Sequence, residues 1–567
     1  MHRQAQRPYR LESRWVGGLP LVNALLRRLR VEDWLAQALP APDPRARVGA
    51  APILGVLLRN LILNQRRPLY TQGEWAARAE PALLGLSAGP HGLLSDDRMG
   101  RALDQLFHAD RASLLTAVVV GAIRTFHIDL DQLHNDSTTV TFSGAYAGAT
   151  GEPVAGRATL RITHGHNKDH RPDLKQLLFV LTVSADGAVP VHYRALDGQT
   201  SDTATHLDTW NTLRQIVGRN DFLYVADCKL CSRESLAYLA AHQGRFITVL
   251  PRTRREDGWF RRYVQDHDPP WREAVRRPNP RRRGGPEDVW KVVEAAVPSA
   301  EGYRVIWVWN SLMAWHDADS RQARIEQAWL AIEQLQTKLE GPRCRYRARD
   351  RVEAAAHALL TAAGAGRWVR VTIDDREEPV FRQERRGRPG TRTRYVRTVR
   401  PRFTVRATTR TDRVEQEART DGMFPLLTNT DLTPAHILDA YKAQPRLEKR
   451  FAQLKSVEAI TPVWLKKPTR IEALLFLYFL SLLVQALLER ELRQAMVAAG
   501  VDHLPLYPEE RECRAPSAER VLEVFASLQR HDLWAGDRRV QTFHPQLDAL
   551  QERIVTLLGM RPAEFTT

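Results

Sequence analysis

Cysteine is scarce: only Cys228, Cys231, Cys344 and Cys513 occur in 567 residues. That is too few for a disulfide framework in a chain this long, so a reducing compartment is expected. Cys228 and Cys231 form a CxxC, but no second CxxC or clustered histidine completes a zinc site, and the pair reads as packing. The N-terminal MHRQAQRPYR has no apolar core for export. Long apolar runs are missing too. The longest, Ala473–Leu488, is broken by Ser481 and Gln485 and falls short of the ~18 residues of a membrane span. It reads as a buried core helix, and the chain as soluble and intracellular. Acidic residues are also in deficit, 66 against 83 Lys and Arg, leaving a net charge of +17. Such a balance favours a polyanionic partner, nucleic acid first and an anionic membrane surface second. The length predicts two to four domains.

Residues 1–128 carry apolar residues at helical spacing in Leu19–Leu29, Ala51–Leu63 and Ala102–Phe126, broken at Pro40, Pro42, Pro44 and Pro90. With Arg59, Arg66 and Arg67, this helical N-terminal domain fits DNA binding, and equally dimerisation or plain packing. From 129 to 251 the pattern is mixed α/β. Strands are expected at Gln132–Phe142, Gln176–Val183, Val189–Leu196, Asp221–Ala226 and Phe246–Leu250, with helices at Thr205–Val217 and Ser232–Ala241. Residues 252–420 read as an insertion. It opens with an Arg- and Pro-rich stretch holding Arg281–Arg283, continues through strands in Val289–Trp309, and then forms a helical hairpin, Ser320–Leu339 and Arg351–Ala363. It closes on an arginine-rich β-ribbon, Trp368–Thr411, turning at Gly387, Pro389 and Gly390. Arg382, Arg385, Arg386, Arg388, Arg392, Arg394, Arg397, Arg400 and Arg402 lie there almost without acidic partners, which suits a DNA groove or backbone. The core resumes over 421–497, with Thr433 available to cap a helix, and 498–567 reads as a C-terminal helical region.

Asp439–Ser456 (DAYKAQPRLEKRFAQLKS) is read as one helix. At about 100° per residue, Tyr441, Glu448 and Lys455 then share a face, with Gln444 one turn before the glutamate. Periodicity alone makes this a solvated face. Asp136 inside the first strand and Asp227 at the end of the fourth change that reading. Three carboxylates around one cavity repel unless divalent cations neutralise them, and Mg²⁺ or Mn²⁺ suits oxygen ligands completed by substrate phosphate.

These residues carry a resemblance. NDSTTVTFSGAY (Asn135–Tyr146), HGHNKDHRPDLKQ (His164–Gln176), DGQTSD (Asp197–Asp202), VADCKLCS (Val225–Ser232), LLTNT (Leu426–Thr430) and YKAQPRLEKRFAQLKS resemble motifs of bacterial insertion-sequence DDE transposases. The group is the one with the signature Tyr-x2-Arg-x3-Glu-x6-Lys, in the branch typified by insertion sequence sixteen-thirty-four. LKKPTRIEALLFLYFLSLLV (Leu465–Val484) resembles the downstream helix of that branch, and the likeness runs from about Gly17 to about Arg493. It implies an RNase H-like mixed-sheet core interrupted by a β-rich insertion. Asp136, Asp227 and Glu448 would be the catalytic metal ligands for two Mg²⁺ or Mn²⁺ ions.

The implied partners are double-stranded DNA, as terminal inverted repeats and target, and a second copy of the chain, with no membrane. The implied location is the bacterial cytoplasm beside the nucleoid. Tyr441, Gln444 and Lys455 occupy signature positions expected to meet DNA, with Arg446, Arg171, Arg385, Arg386 and Arg388 as further DNA contacts. Two departures stand out: glutamine at 444 where the signature has arginine, and Cys228-Lys229 where the family has small residues. The histidines His164, His166 and His170, with Asp169 and Asp173, resemble a metal site in composition, but a structural, DNA-proximal loop is preferred. Trp210, Trp259, Trp271 and Trp464 read first as core. Two alternatives remain, a DNA-binding repressor without catalysis and a nuclease of the same fold without strand transfer.

Overall fold

The computed structural model of the chain describes all residues except 1–8, 43, 46, 64–70, 87–93, 280–283, 342–343, 458–464, 508, 510 and 567. Arg66, Arg67, Pro90, Arg281–Arg283 and Trp464 therefore lie outside the described residues. Two compact units emerge, 1–248 with 439–567, and 249–438.

The first unit opens on a strand, β1 (Tyr9–Trp15), where only helices were expected. Helices Leu19–Arg28, Val31–Ala38, Ala50–Ile62, Asp96–His108 and Arg111–Phe126 follow. Arg59, expected to offer charge to a partner, is 4% exposed instead. Its guanidinium donates to Asn23 Oδ1 and to Glu32, so it ties helices together from inside. The helix Pro468–Ala498 packs against Ala50–Ile62 and Asp96–His108. It is long and apolar enough to cross a membrane, yet its most apolar stretch is buried inside the unit. Its buried charges are all answered: Glu472 by Arg111, Glu489 by Arg450 and Arg493, and Arg490 by Asp186.

The site rests on five strands: β2 (Gln132–Phe142), β3 (Lys175–Ser184), β4 (Pro190–Asp197), β5 (Leu223–Ala226) and β6 (Arg245–Val249). Their order is β4-β3-β2-β5-β6. The near-continuous apolar run of β3 reflects burial on both faces. β2, β3 and β4 form an antiparallel meander, while β5 runs parallel to β2 and β6 parallel to β5. A parallel neighbour needs a crossover. Helices Thr205–Val217 and Arg233–Ala241 provide the crossovers into β5 and β6.

In the second unit, β7 (Arg272–Arg277), β8 (Asp288–Glu294) and β9 (Arg304–Asn310) form an antiparallel group. β10 (Val369–Gln383) and β11 (Tyr395–Thr409) pair in unbroken antiparallel register for 15 residues each, and β12 (Met423–Thr428) pairs with β9. At ~3.4 Å per residue the ribbon spans roughly 50 Å. Its base buries Phe403 and Val405 against Ile332, Leu335 and Leu339 of the helix Ser311–Glu340 and Val352 and Ala356 of Arg349–Ala362. Distally Phe381, Tyr395 and Val399 are exposed.

The C-terminal stretch of the first unit, expected to be helical and loop-like, contains the hairpin β13 (Gln529–Ala535) and β14 (Arg538–Phe543). β1 pairs antiparallel with β13, from Tyr9↔Ala535 to Trp15↔Gln529. The two ends of the chain thus share one sheet. Neither β13 nor β14 has a continuous apolar run to betray it.

Candidate active site

The register of β2 against β5 decides where the two aspartates go. Gln132, Leu133, His134 and Asn135 pair in parallel with Leu223, Tyr224, Val225 and Ala226. The next residues along are Asp136 and Asp227, so they stand side by side at the C-terminal ends of adjacent parallel strands. Open α/β sheets place their ligands at such ends.

Asp136 accepts the Ser137 N–H at 2.7 Å and lies 3.5 Å from Lys168 Nζ. Burial pushes its carboxyl up to about 6; Lys168 opposes the shift and the charge of Asp227 adds to it. Asp227 caps the short 3₁₀ turn Cys228–Leu230 by accepting the Lys229 N–H at 3.0 Å. Thr248 Oγ1 donates to its carbonyl, and His206 Nε2 sits 4.0 Å from its carboxylate. The two residues that depart from the family pattern have a local role here. Cys228 and Lys229 build the turn that Asp227 caps, and the Lys229 side chain faces solvent. Burial pushes the Cys228 thiol up, with Asp227 adding to the effect.

The single helix expected over Asp439–Ser456 is three pieces. Pro434–Tyr441 and Gln444–Ala452 are α-helices, and Gln453–Val457 is a π turn. Pro445 explains the break. It has no N–H to donate to the carbonyl of Tyr441, four residues back, and its ring would clash there. It sits instead in the first turn of the second helix, where a missing N–H is harmless. Thr433 caps the first helix as expected, accepting the His436 N–H.

Tyr441 stands among the carboxylates despite the break. Its phenol is pushed up to about 12, chiefly by burial, then by Asp227, Glu448, Cys228 and Asp136 in that order. Glu448 itself is exposed and has no hydrogen bond or ion pair among the described residues. Among those residues no group of three or more His, Cys, Asp or Glu is gathered closely enough to hold a metal ion, the histidines His164, His166 and His170 included. Asp136 and Asp227 thus form the adjacent pair, and Glu448 acts with them on the Tyr441 phenol.

Gln444 does not face outward as a DNA contact. It is 7% exposed and lies against β2. Gln132 Nε2 donates to His134 Nε2, which leaves His134 Nδ1–H to donate to Gln444 Oε1 at 2.9 Å. Gln444 Nε2 donates onward to the Asn135 carbonyl. Burial holds His134 down to about 4, consistent with a neutral ring in this chain of bonds.

Arg446, the other candidate for the missing signature charge, donates to the Ala185 carbonyl. One turn on, buried Arg450 donates to the carbonyls of Gly187 and Ala188 and pairs with Glu489. Both arginines grip the β3–β4 turn from one helix face. Glu448, two residues from each, is turned ~200° away from that face.

The remaining expected contacts divide. Lys455 Nζ donates to Asp169 at 2.6 Å. Arg171 is exposed but clamped by both carboxylate oxygens of Asp173, which raise its pKa. In the second unit Arg385, Arg386 and Arg388 are exposed at the ribbon tip, with no hydrogen bond or ion pair to their guanidinium groups among the described residues. Arg400 and Arg402, read as part of the same DNA-facing set, instead donate to carbonyls at the ribbon base, and Arg402 also pairs with Glu378. Trp210 is fully buried, while Trp259 is 44% exposed and stacks on Tyr263.

Residues the sequence did not flag complete the site. Asn135 accepts from Thr182, and His206 bonds Tyr224 and approaches Asp227. His206 sits in an unremarkable helix start and carried no signal. Arg450 was hidden by the signature slot at 444.

A family model described as "Domain of unknown function (DUF4277)" matches residues 11–120, from β1 into the helix Arg111–Phe126. No curated protein matches the chain. Among solved structures the chain is similar to piggyBac transposase in its synaptic complex with hairpin DNA, at 10% identity and a TM-score of 0.36. That match covers 91% of this chain and 82% of the other.

Proposed function

We propose that this chain is a DNA transposase of the DDE type that acts on the terminal inverted repeats of an insertion sequence, in the branch named above. The observation that carries the reading is the β2–β5 register, which sets Asp136 beside Asp227, with the Glu448 helix seated on β2 through Gln444. The strand order β4-β3-β2-β5-β6 supports an RNase H-like core. A net charge of +17 and the ribbon-tip arginines, exposed and unpaired among the described residues, support a duplex DNA partner.

The donor chemistry fits Mg²⁺ or Mn²⁺. Both are hard cations that take oxygen ligands, and Mg²⁺ is commonly held by one or two carboxylates plus substrate phosphate, not by an all-protein cage. Asp136 and Asp227 would hold the ions, with Glu448 completing the set. Bound there, the cations supply charge stabilisation at phosphoryl oxygens and activation of the attacking hydroxyl. The chain's own groups do the rest. Tyr441, held protonated by burial and surrounding carboxylates, offers a hydrogen bond to a phosphate oxygen. Lys455, Arg385, Arg386 and Arg388 bind the backbone, and two copies of the chain would bring two ends together.

Strand transfer distinguishes this reading from a simple nuclease. A pre-cleaved element end with a free 3′-hydroxyl should be joined to plasmid DNA in Mg²⁺; cleavage without joined product contradicts it. The separation of Glu448 from the aspartate pair favours a second reading, a repressor that binds ends without cutting. Tight end binding with no cleavage in either Mg²⁺ or Mn²⁺ would establish that one.

A further inference from the structure

The segment His164–Gln176 is built as a rigid turn aimed at the site. A side chain on Gly165 would come within 2.0 Å of the Gly198 carbonyl, so the two backbones meet without room for one. Gln176 Nε2 fastens the same point, donating to the carbonyls of His166 and Gly198. Asn167 Oδ1 accepts the N–H groups of Asp169 and Arg171, and His170 takes the left-handed conformation at φ 57°. The turn therefore fixes two neighbouring side chains of opposite charge.

Lys168 Nζ donates to the carbonyl and hydroxyl of Ser137 at 2.7 and 2.8 Å and lies 3.5 Å from Asp136 Oδ1. Asp169 accepts from Lys455 Nζ at 2.6 Å and from Thr139 Oγ1 at 3.5 Å. Each thus lies against a group of opposite sign to which the proposed function gives work. We propose that Lys168 and Asp169 are built-in counterions, neutralising Asp136 and Lys455 until a divalent cation and a nucleic-acid phosphate take their places. This rests on the reading of the site given above.

Exposure supports exchange. The side chains of the first pair are 27% and 21% exposed and those of the second 26% and 38%, so solvent-borne ligands reach both. Ion pairs at such exposure are weak enough for a doubly charged cation or a polyanion to displace them. The pairs also keep a carboxylate and an ammonium ordered while the site is idle, which makes Lys168 and Asp169 positioning residues.

Calorimetric titration of the full chain with Mn²⁺ alone, and separately with a short mixed-sequence DNA duplex without divalent cation, tests this. Lys168→Gln should bind Mn²⁺ about three- to tenfold tighter than wild type, the scale of one partly exposed ion pair removed. Asp169→Asn should bind the duplex tighter by a similar factor and leave Mn²⁺ affinity unchanged. Lys168→Arg, which keeps a cation in the turn, should return the wild-type Mn²⁺ value, and Lys168→Met replaces Lys168→Gln if that variant does not fold. Unchanged or weaker Mn²⁺ binding on neutralising Lys168, with wild type binding Mn²⁺, overturns the counterion role alone. Mn²⁺ binding that survives both Asp136→Asn and Asp227→Asn, or is absent from wild type, overturns the site reading beneath it as well.

Discussion

At the scale of single residues, Gln444 is the clearest case of a side chain whose place in the fold outweighs its place in a motif. Arginine there would match the signature, yet the Gln444 amide bonds His134 and the Asn135 carbonyl, and no carboxylate among the described residues bonds it. Gln444→Arg should therefore destabilise the fold by about 2–4 kcal/mol, since a buried cation would lack a counter-charge. Urea unfolding checks this, and an unchanged midpoint would mean the position is not sealed.

His192 offers a pH test away from the aspartates. It is 5% exposed, neither ring nitrogen has a hydrogen-bond partner among the described residues, and burial, with Arg194 second, holds it down to about 4 from 6.5. Below pH 6.5 the unfolded chain takes up a proton that the folded chain refuses until about 4. Stability from this group is thus complete above 6.5 and falls across that window, by up to roughly 3 kcal/mol. His134 acts in the same direction. Asp136 acts in the opposite one, since its raised carboxyl favours the fold below its ordinary value and loses that contribution as pH rises through 6. His192→Phe should accordingly flatten the fall in melting temperature between pH 6.5 and 4.5 relative to wild type, and a parallel curve would contradict it.

At the scale of elements, Pro445 is the informative residue. It breaks the Asp439–Ser456 segment so that Tyr441 and Glu448 sit on separate helices that still converge. Pro445→Ala should let the two helices join. Pro445 is exposed, so stability should change by less than about 1 kcal/mol, whereas cleavage should drop at least roughly tenfold because Tyr441 swings off the carboxylates. Equal cleavage rates would mean the break is incidental.

This element also marks what the sequence could yield. β2 and the helix Thr205–Val217 are found at their expected bounds, because an eleven-residue run closing on the β-branched stretch Thr138–Thr141, or a full amphipathic period, leaves little choice locally. The proline was visible too, but the spacing of Tyr441, Glu448 and Lys455 invited one continuous face. The Asp136–Asp227 pairing was suspected from their strand positions, though only the register fixes it. Gln444, Arg450 and His206 gain their roles from strands and turns far along the chain, and periodicity carries no trace of such partners. The pairing of β1 with β13 fails to appear in the sequence for the same reason: the strands are some five hundred residues apart and each is short and half polar.

At the scale of the whole molecule, the charge is not spread evenly in function. Some of the arginine is internal, as with Arg59 and Arg450, or spent on the ribbon base, as with Arg402. The tip arginines Arg385, Arg386 and Arg388 are exposed and stand ready to meet a polyanion. Changing Arg385, Arg386 and Arg388 together to alanine should reduce the slope of log affinity against log salt by about 0.9 for each phosphate no longer neutralised. Fluorescence anisotropy over a salt series measures it, and an unaltered slope would remove the ribbon tip from the interface.

Whether Asp136, Asp227 and Glu448 act together on DNA, as proposed, is read out by cleavage of element-end duplex in Mg²⁺ alongside binding of the same duplex. Asp136→Ala, Asp227→Ala and Glu448→Ala should each abolish cleavage while end affinity stays within about threefold of wild type, since metal-ligand carboxylates contribute chemistry rather than backbone attraction. Cleavage that persists in all three variants would rule out the triad.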